Sequence, residues 1–187
     1  MSGNTTTTDA GPETVLTFWE GAGHDRWFQK DADFDAEIRS RFSAVHHAAR
    51  IGRLDHWSQT PHGALALVIL LDQFSRNIFR DDPKAFENDM RALGIAREAI
   101  RKGFDGKIAM PLRLFFYLPF EHSEQSHDQD ECIRLVEKTG DEEALKWAKV
   151  HADIIARFGR FPHRNKILGR ESTPAEDAFL KDGGFAG

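Results

Sequence analysis

Three groups of polar residues interrupt otherwise apolar stretches, and each carries side chains that could do chemistry. The first is Asp72, Gln73, Arg76, Asn77 and Arg80, whose spacing makes a stripe on one helix face. This polar end could face a cavity or other buried polar groups, or Asp72 and Arg76 could pair at i,i+4, worth only about 0.3–0.5 kcal/mol if exposed. The preceding turns, Ala64 to Leu71, are apolar all round, which marks this helix as central. For the stripe alone, a packed polar network is therefore the preferred reading over a ligand site.

The second group is His122, Ser123 and Glu124, with His127 and Gln129 beyond. Consecutive helical positions point about 100° apart, so Ser123 and His122 do not form a nucleophile and base by adjacency, and no nucleophile elbow surrounds the serine. Ser123 instead suits the start of the following helix. His122, Glu124, His127 and His151 are residue types that ligate metals, but no His-Glu-x-x-His or comparable tight spacing is present, and no metal or cofactor is expected. His151, alone on an apolar stripe, reads as a hydrogen-bonded core histidine.

The third group includes Arg160, His163, Arg164 and Asn165. From Arg157 to Arg170 there are five Arg or Lys and no Asp or Glu. Asp72, Glu121 or Glu124 could neutralise this surplus, or a bound phosphate or carboxylate could, since Arg offers a planar bidentate fork. Phe158 and Phe161 lie among the basic residues, yet the stretch is short and the chain acidic, so nucleic acid is not expected.

These residues belong to a chain of 187 residues with 25 Lys and Arg against 30 Asp and Glu, a net charge of −5. That balance gives no general attraction to nucleic acid or an anionic membrane. The 40% hydrophobic and 11% aromatic content suits a globular chain, with about 70% of its unfolded surface buried. Cys132 is the single cysteine, which excludes an intrachain disulfide and points to a reducing, cytoplasmic setting. The longest strongly apolar run, Ala64 to Leu71, is far short of the ~20 residues of a membrane span. Residues 1–10, rich in Ser, Thr and Gly, are expected to be a flexible tail before a single helical domain over 11–187.

Helix punctuation recurs along that domain, and strand punctuation does not. Pro12 suits the first turn of a helix carrying Val15, Leu16 and Trp19, which Gly21 and Gly23 stop. Asp33 is a candidate cap for a helix with Phe34, Ile38, Phe42, Val45 and Ala49 on one face. Thr60-Pro61 opens a helix over 61–79 with Leu67, Leu71, Phe74 and Ile78 as its seam, and Asp82-Pro83 opens another with Phe86, Met90, Leu93 and Ile100 inward. Glu121 to Lys138 reads as one weaker helix. Asp141 caps a helix placing Trp147, His151, Ile154 and Phe158 on one face, and Thr173 to Glu176 has capping-box spacing. Seven or eight helices joined by short turns predict an all-α fold of antiparallel hairpins.

Four segments then resemble a known family: Val15 to Trp19, Leu70 to Arg80, Tyr117 to Glu124, and Arg157 to Asn165 followed by Leu168-Gly169-Arg170. They are similar to bacterial domain-of-unknown-function family 924, and the resemblance runs through nearly the whole chain after the tail. It implies an all-helical fold similar to tetratricopeptide repeats and a shared site, but no reaction. Ser75 stands where members typically carry proline, read as a solvent-tolerant change.

Two functions are open. The first is a binding module whose polar pocket, lined by Asp72, Gln73, Arg76, Asn77, Arg80, His122, Ser123, Glu124, His151, Arg160, His163, Arg164 and Asn165, takes a small anionic ligand or an acidic peptide. The alternative is a metal-independent hydrolase or transferase for a phosphorylated or carboxylated small substrate, with a carboxylate and an imidazole as acid and base. All three groups are expected to converge on one cleft. Oligomeric state is not set by the sequence.

Overall fold

A computed structural model describes residues 10–185, and the predicted tail falls outside it except for Ala10, which is buried. The described residues contain no strand. They hold seven α-helices of eight or more residues and three of four residues. The chain divides into two compact units, one made of residues up to 80 with 84–119, the other of 81–83 with 120 onward.

In the first unit, α1 (Pro12–Ala22), α2 (His24–Trp27) and α3 (Ala32–Arg50) precede a short turn that leads into α4 (Pro61–Val68). Pro12 occupies the first turn of α1, where its missing N–H leaves no helical bond unmade. The cap of α3 is Asp31 and not Asp33: the Asp31 carboxylate accepts from the Asp33 and Phe34 N–H groups at 3.0 Å each. Thr60 caps α4 as expected, accepting from Gly63 N at 3.1 Å. Gly63 is obligatory there, because a Cβ would stand 2.2 Å from the Trp57 carbonyl oxygen.

From α4 the chain continues without a break through one π-helical stretch, Ile69–Phe74, into α5 (Ser75–Ile78). A helix apolar all round must be enclosed, and Ala64 to Leu71 are fully buried. Trp19 packs against Phe34, Phe74 and Phe115 at ring separations of 5.9, 5.4 and 5.5 Å, with Phe42 at 5.0 Å from Phe74. Next, α6 (Asp89–Arg101) begins later than Asp82-Pro83 suggests, after a 3₁₀ turn at Pro83–Ala85. It buries Ala92, Leu93, Ala96 and Ala99, while Met90 is 75% exposed and Phe86 and Ile100 are half-buried. Alanines, not the larger side chains, set its inner face.

In the second unit, the segment expected as one helix from Glu121 is two. α7 (Leu118–Glu121), which begins in the first unit, stops, and α8 (Ser126–Glu137) starts after a turn. α9 (Glu142–Phe158) is capped by Asp141, which accepts from Ala144 N at 3.0 Å, and ends at Gly159 in the left-handed conformation. α10 (Pro174–Lys181) carries the expected capping box between Thr173 and Glu176. α8 and α9 are joined by a four-residue turn and pack together. The inner face of α9 is Ala148, His151, Ile154 and Ile155. Trp147 lies one position off that stripe and is 41% exposed, its indole N–H donating to Glu143 at 3.1 Å, and Phe158 is half-buried. Ile154, Ile155 and Phe161 form the local core, with Val150, Phe158, Phe179 and Phe185 against it. No described helix is long and apolar enough to cross a membrane.

Candidate functional site

The first polar group sits on the π-helical stretch and α5, a backbone irregularity that recurs at functional sites because it re-aims side chains. Asp72 is only 1% exposed and is hydrogen-bonded on both oxygens, to Gln73 Nε2 at 2.6 Å and Arg76 Nη1 at 3.1 Å. Arg76 also reaches Asp89 at 3.2 Å. Asn77 and Arg80 converge on Asp35, at 2.8 Å for Asn77 Nδ2 and through two N–H groups of the Arg80 guanidinium. Two guanidiniums thus serve three buried or half-buried carboxylates, the arrangement that makes burying such groups tolerable. Asp35 and Asp89 could not be found from sequence, since they lie outside the stripe and pair across 45 and 13 residues.

Beneath the stripe lies a second polar knot. Ser75 is 0% exposed, so it is not a solvent-tolerant position: its hydroxyl is bonded within the core. Ser75 Oγ donates to the Leu71 carbonyl at 2.6 Å and accepts from Asn88 Nδ2 at 3.3 Å. His46 Nε2 is 2.9 Å away. Because the single hydroxyl proton is committed to Leu71, the imidazole must donate to the serine, the reverse of what activates a nucleophile. Burial, reinforced by the charges of Arg50 and His47, pushes the His46 pKa down to about 4, consistent with a neutral ring.

In the second unit the structure brings the second and third groups together. The Glu124 carboxylate accepts two bonds from Arg170, at 2.8 and 3.0 Å, and one from the Phe161 N–H at 2.8 Å. Burial pushes its carboxyl up, but the Arg170 bonds, the Phe161 N–H and the charges of Arg170 and Arg164 outweigh that and hold it below the ordinary carboxylate range. Arg170 also donates to Asn165 Oδ1 at 2.9 Å, and Asn165 donates to Ser172 at 3.2 Å. Arg160 is gripped by Glu176 at 2.6 and 2.8 Å. So the basic surplus is met in part by Glu124, as expected, and in part by Glu176, whose capping-box position gave no hint of this second duty.

Ser123 is a turn-former: its hydroxyl donates to Asp128 at 2.7 Å and accepts from Gln125 N at 3.2 Å. Gln129, buried beside it, donates to the carbonyls of Phe120, Glu121 and Ser123, closing the end of α7. His151 is the buried core histidine expected. Its Nδ1 lies 2.9 Å from the Trp147 carbonyl and 3.3 Å from Glu121 Oε1, so Nδ1 carries the proton and Nε2 the lone pair. Burial, together with the nearby charges of His122 and Arg164, depresses its pKa to about 4. Arg164, 6% exposed, stacks its guanidinium 4.5 Å over the Phe161 ring. His151 and His163 flank the same ring, each at 5.6 Å. Phe161 is therefore the hub on which Arg164, His151 and His163 are held. Cys132, buried on α8, has its thiol pushed up by burial and by Glu121, away from the thiolate form.

The two halves of the predicted site are thus each internally organised, Asp72 to Arg80 in the first unit and His122 to Asn165 in the second.

A family model described as a bacterial protein of unknown function (DUF924) matches residues 15–184. No curated protein matches the chain. A solved structure of a protein of unknown function from Agrobacterium tumefaciens is similar to it, with 44% identity and a TM-score of 0.89, covering 92% of this chain and 97% of that one.

Proposed function

The chain belongs to the DUF924 family of bacterial proteins of unknown function, and from that premise we propose that its second unit is a cytoplasmic binding module for a small anionic ligand or an acidic peptide end. The carrying observation is Arg164: a guanidinium almost wholly withdrawn from solvent, stacked on Phe161, whose charge is felt by both Glu124 and His151. Its neighbours Arg160 and Arg170 hold carboxylates bidentately, an arrangement that fixes the segment carrying Arg164 in place. Paired helices such as α8 and α9, stacked as in tetratricopeptide-like proteins, supply a rigid support for such a site. In this reading the stripe from Asp72 to Arg80 organises the first unit.

The test is calorimetric titration and thermal shift with inorganic phosphate, citrate and an acidic peptide. Binding of at least one is expected, weakened tenfold or more by Arg164→Gln, with Arg164→Lys intermediate because it keeps charge and loses the planar fork. Absence of any binding, together with a stability loss of several kcal/mol in Arg164→Gln, would make the cluster purely structural.

One observation favours a second reading, a hydrolase or transferase for phosphorylated or carboxylated small molecules: the buried Glu121 and His151, 3.3 Å apart, form an acid and base pair. Hydrolysis of an activated phosphate or carboxylic ester that disappears in both Glu121→Gln and His151→Asn would establish it, and no turnover by folded protein would remove it.

A further inference from the structure

α10 ends in a Schellman turn that folds the chain back over a histidine. The Gly184 N–H donates to the Phe179 carbonyl at 2.9 Å and the Gly183 N–H to the Leu180 carbonyl at 3.4 Å, with Gly183 left-handed at φ +84°. Both positions demand glycine, since Gly183 takes a conformation that side chains resist and a Cβ on Gly184 would fall 2.5 Å from the Phe179 oxygen. The turn delivers the Phe185 ring edge-to-face against His151 at 4.5 Å and His163 at 5.2 Å, with Trp147 at 6.0 Å. With Phe185 in this seat, His151 is only 6% exposed. The tether of the ring is light. The Phe185 backbone bonds to none of the described residues, so ring contacts alone hold the chain beyond Gly184. The ring is half-buried and lines an open groove of about 830 Å³ with Leu145, Val150 and Phe179. The bonds that fix the imidazole, from Nδ1 to the Trp147 carbonyl and Glu121, do not involve this segment.

We propose that Gly183 to Phe185 form a strap that closes the approach to His151, so that the Glu121 and His151 pair is reached from solution only when the strap is off. Phe185 is its latch, and the Schellman turn sets the latch in place. Withdrawing the ring exposes one half-buried side chain and breaks no helical bond, a far smaller cost than unfolding the second unit, so the strap opens as a local event. The imidazole stays bonded through Nδ1 as before and gains only access. The strap concerns what reaches a group of the chain itself and stands apart from the anion-site reading, since it holds whether or not an anion binds.

Diethyl pyrocarbonate acylates the unprotonated nitrogen of an accessible imidazole, and its rate at each histidine of the full chain, read by mass spectrometry at neutral pH, tests this. In the unaltered protein His151 is expected to react more slowly than the exposed His62 but well before His46, which is 2% exposed in the first unit. In Phe185→Ala the latch is gone, and modification of His151 is expected to accelerate about tenfold, the weight of one half-buried aromatic ring, with His62 and His46 unchanged. Gly184→Ala keeps the ring but cannot hold the turn, so it should accelerate His151 in the same way, and it covers the case in which loss of Phe185 disturbs the local core. An unchanged His151 rate in both variants, a rise at His151 that only keeps pace with one at His46, or His151 and His46 reacting at the same rate in the unaltered protein would overturn the strap.

Discussion

Arg170 holds Glu124 by two parallel hydrogen bonds, at 2.8 and 3.0 Å, across 46 residues of sequence. The pair ties the turn before α8 to the loop after α9, because Glu124 also receives the Phe161 N–H and Arg170 also donates to the Phe161 carbonyl at 3.0 Å. Phe161, the hub of the candidate site, is therefore positioned by this ion pair on both sides of its own backbone.

Removing one partner should cost more than a surface pair would, since each side chain is only about a quarter exposed. Arg170→Ala is expected to destabilise by about 2 kcal/mol, a fall in Tm of roughly 4–8 °C. Adding Glu124→Ala should cost less than the sum of the two single changes, because the charge left stranded by the first is gone. Urea denaturation of the four proteins measures the coupling, and strict additivity would mean that the pair does not position Phe161.

Ser75 gives a second prediction. Ser75→Ala removes the acceptor of His46 and Asn88 together, within a site sealed from water. A loss of about 1–3 kcal/mol is expected, compared with a few tenths for a typical exposed serine. A proline at this position removes the same hydroxyl and also the Ser75 N–H, which donates to the Gln73 carbonyl inside an unbroken helical run, so Ser75→Pro should be more harmful than Ser75→Ala. Thermal unfolding of the two variants side by side decides the order.

What could be read from the sequence divides along the range of the interactions involved. Thr60, Asp141 and Thr173 work within one helical turn, so their caps are visible in local spacing and appear in the structure where expected. Asp31 shows the limit: three acidic residues in alternate positions offer equivalent caps, and only the backbone geometry selects the first. Trp147 and Met90 stand off their predicted inner faces for another reason. On α9 and α6 a stripe shifted by one residue is almost as apolar, and the true inner faces use Ala148 and Ala92, Ala96 and Ala99, whose small size lets neighbouring helices approach. Asp35, Arg170 and Phe185 carry no local signal of their partners, because those pairings exist only once distant segments have met.

The two buried histidines predict how stability depends on pH. His46 and His151 have pKa values near 4 in the folded protein, chiefly because burial penalises the charged ring, against 6.5 when unfolded. Between those values the unfolded chain binds more protons than the folded one, so stability rises with pH across that window. The contribution is fully present above about pH 6.5 and is lost as the pH falls toward 4, at a limit of roughly 3 kcal/mol for each ring. Carboxylates such as Glu124, held below their ordinary range, add to the loss only at the acidic end of the window. Replacing His46 by Gln, which keeps a side-chain donor for Ser75 but cannot titrate, should flatten the stability profile between pH 6.5 and 4 relative to the unaltered protein. His151→Asn should do the same independently, since the two rings sit in different units. Chemical denaturation at half-unit steps of pH reads both slopes, and an unchanged slope in either variant would mean that burial does not depress that ring's pKa in the folded protein.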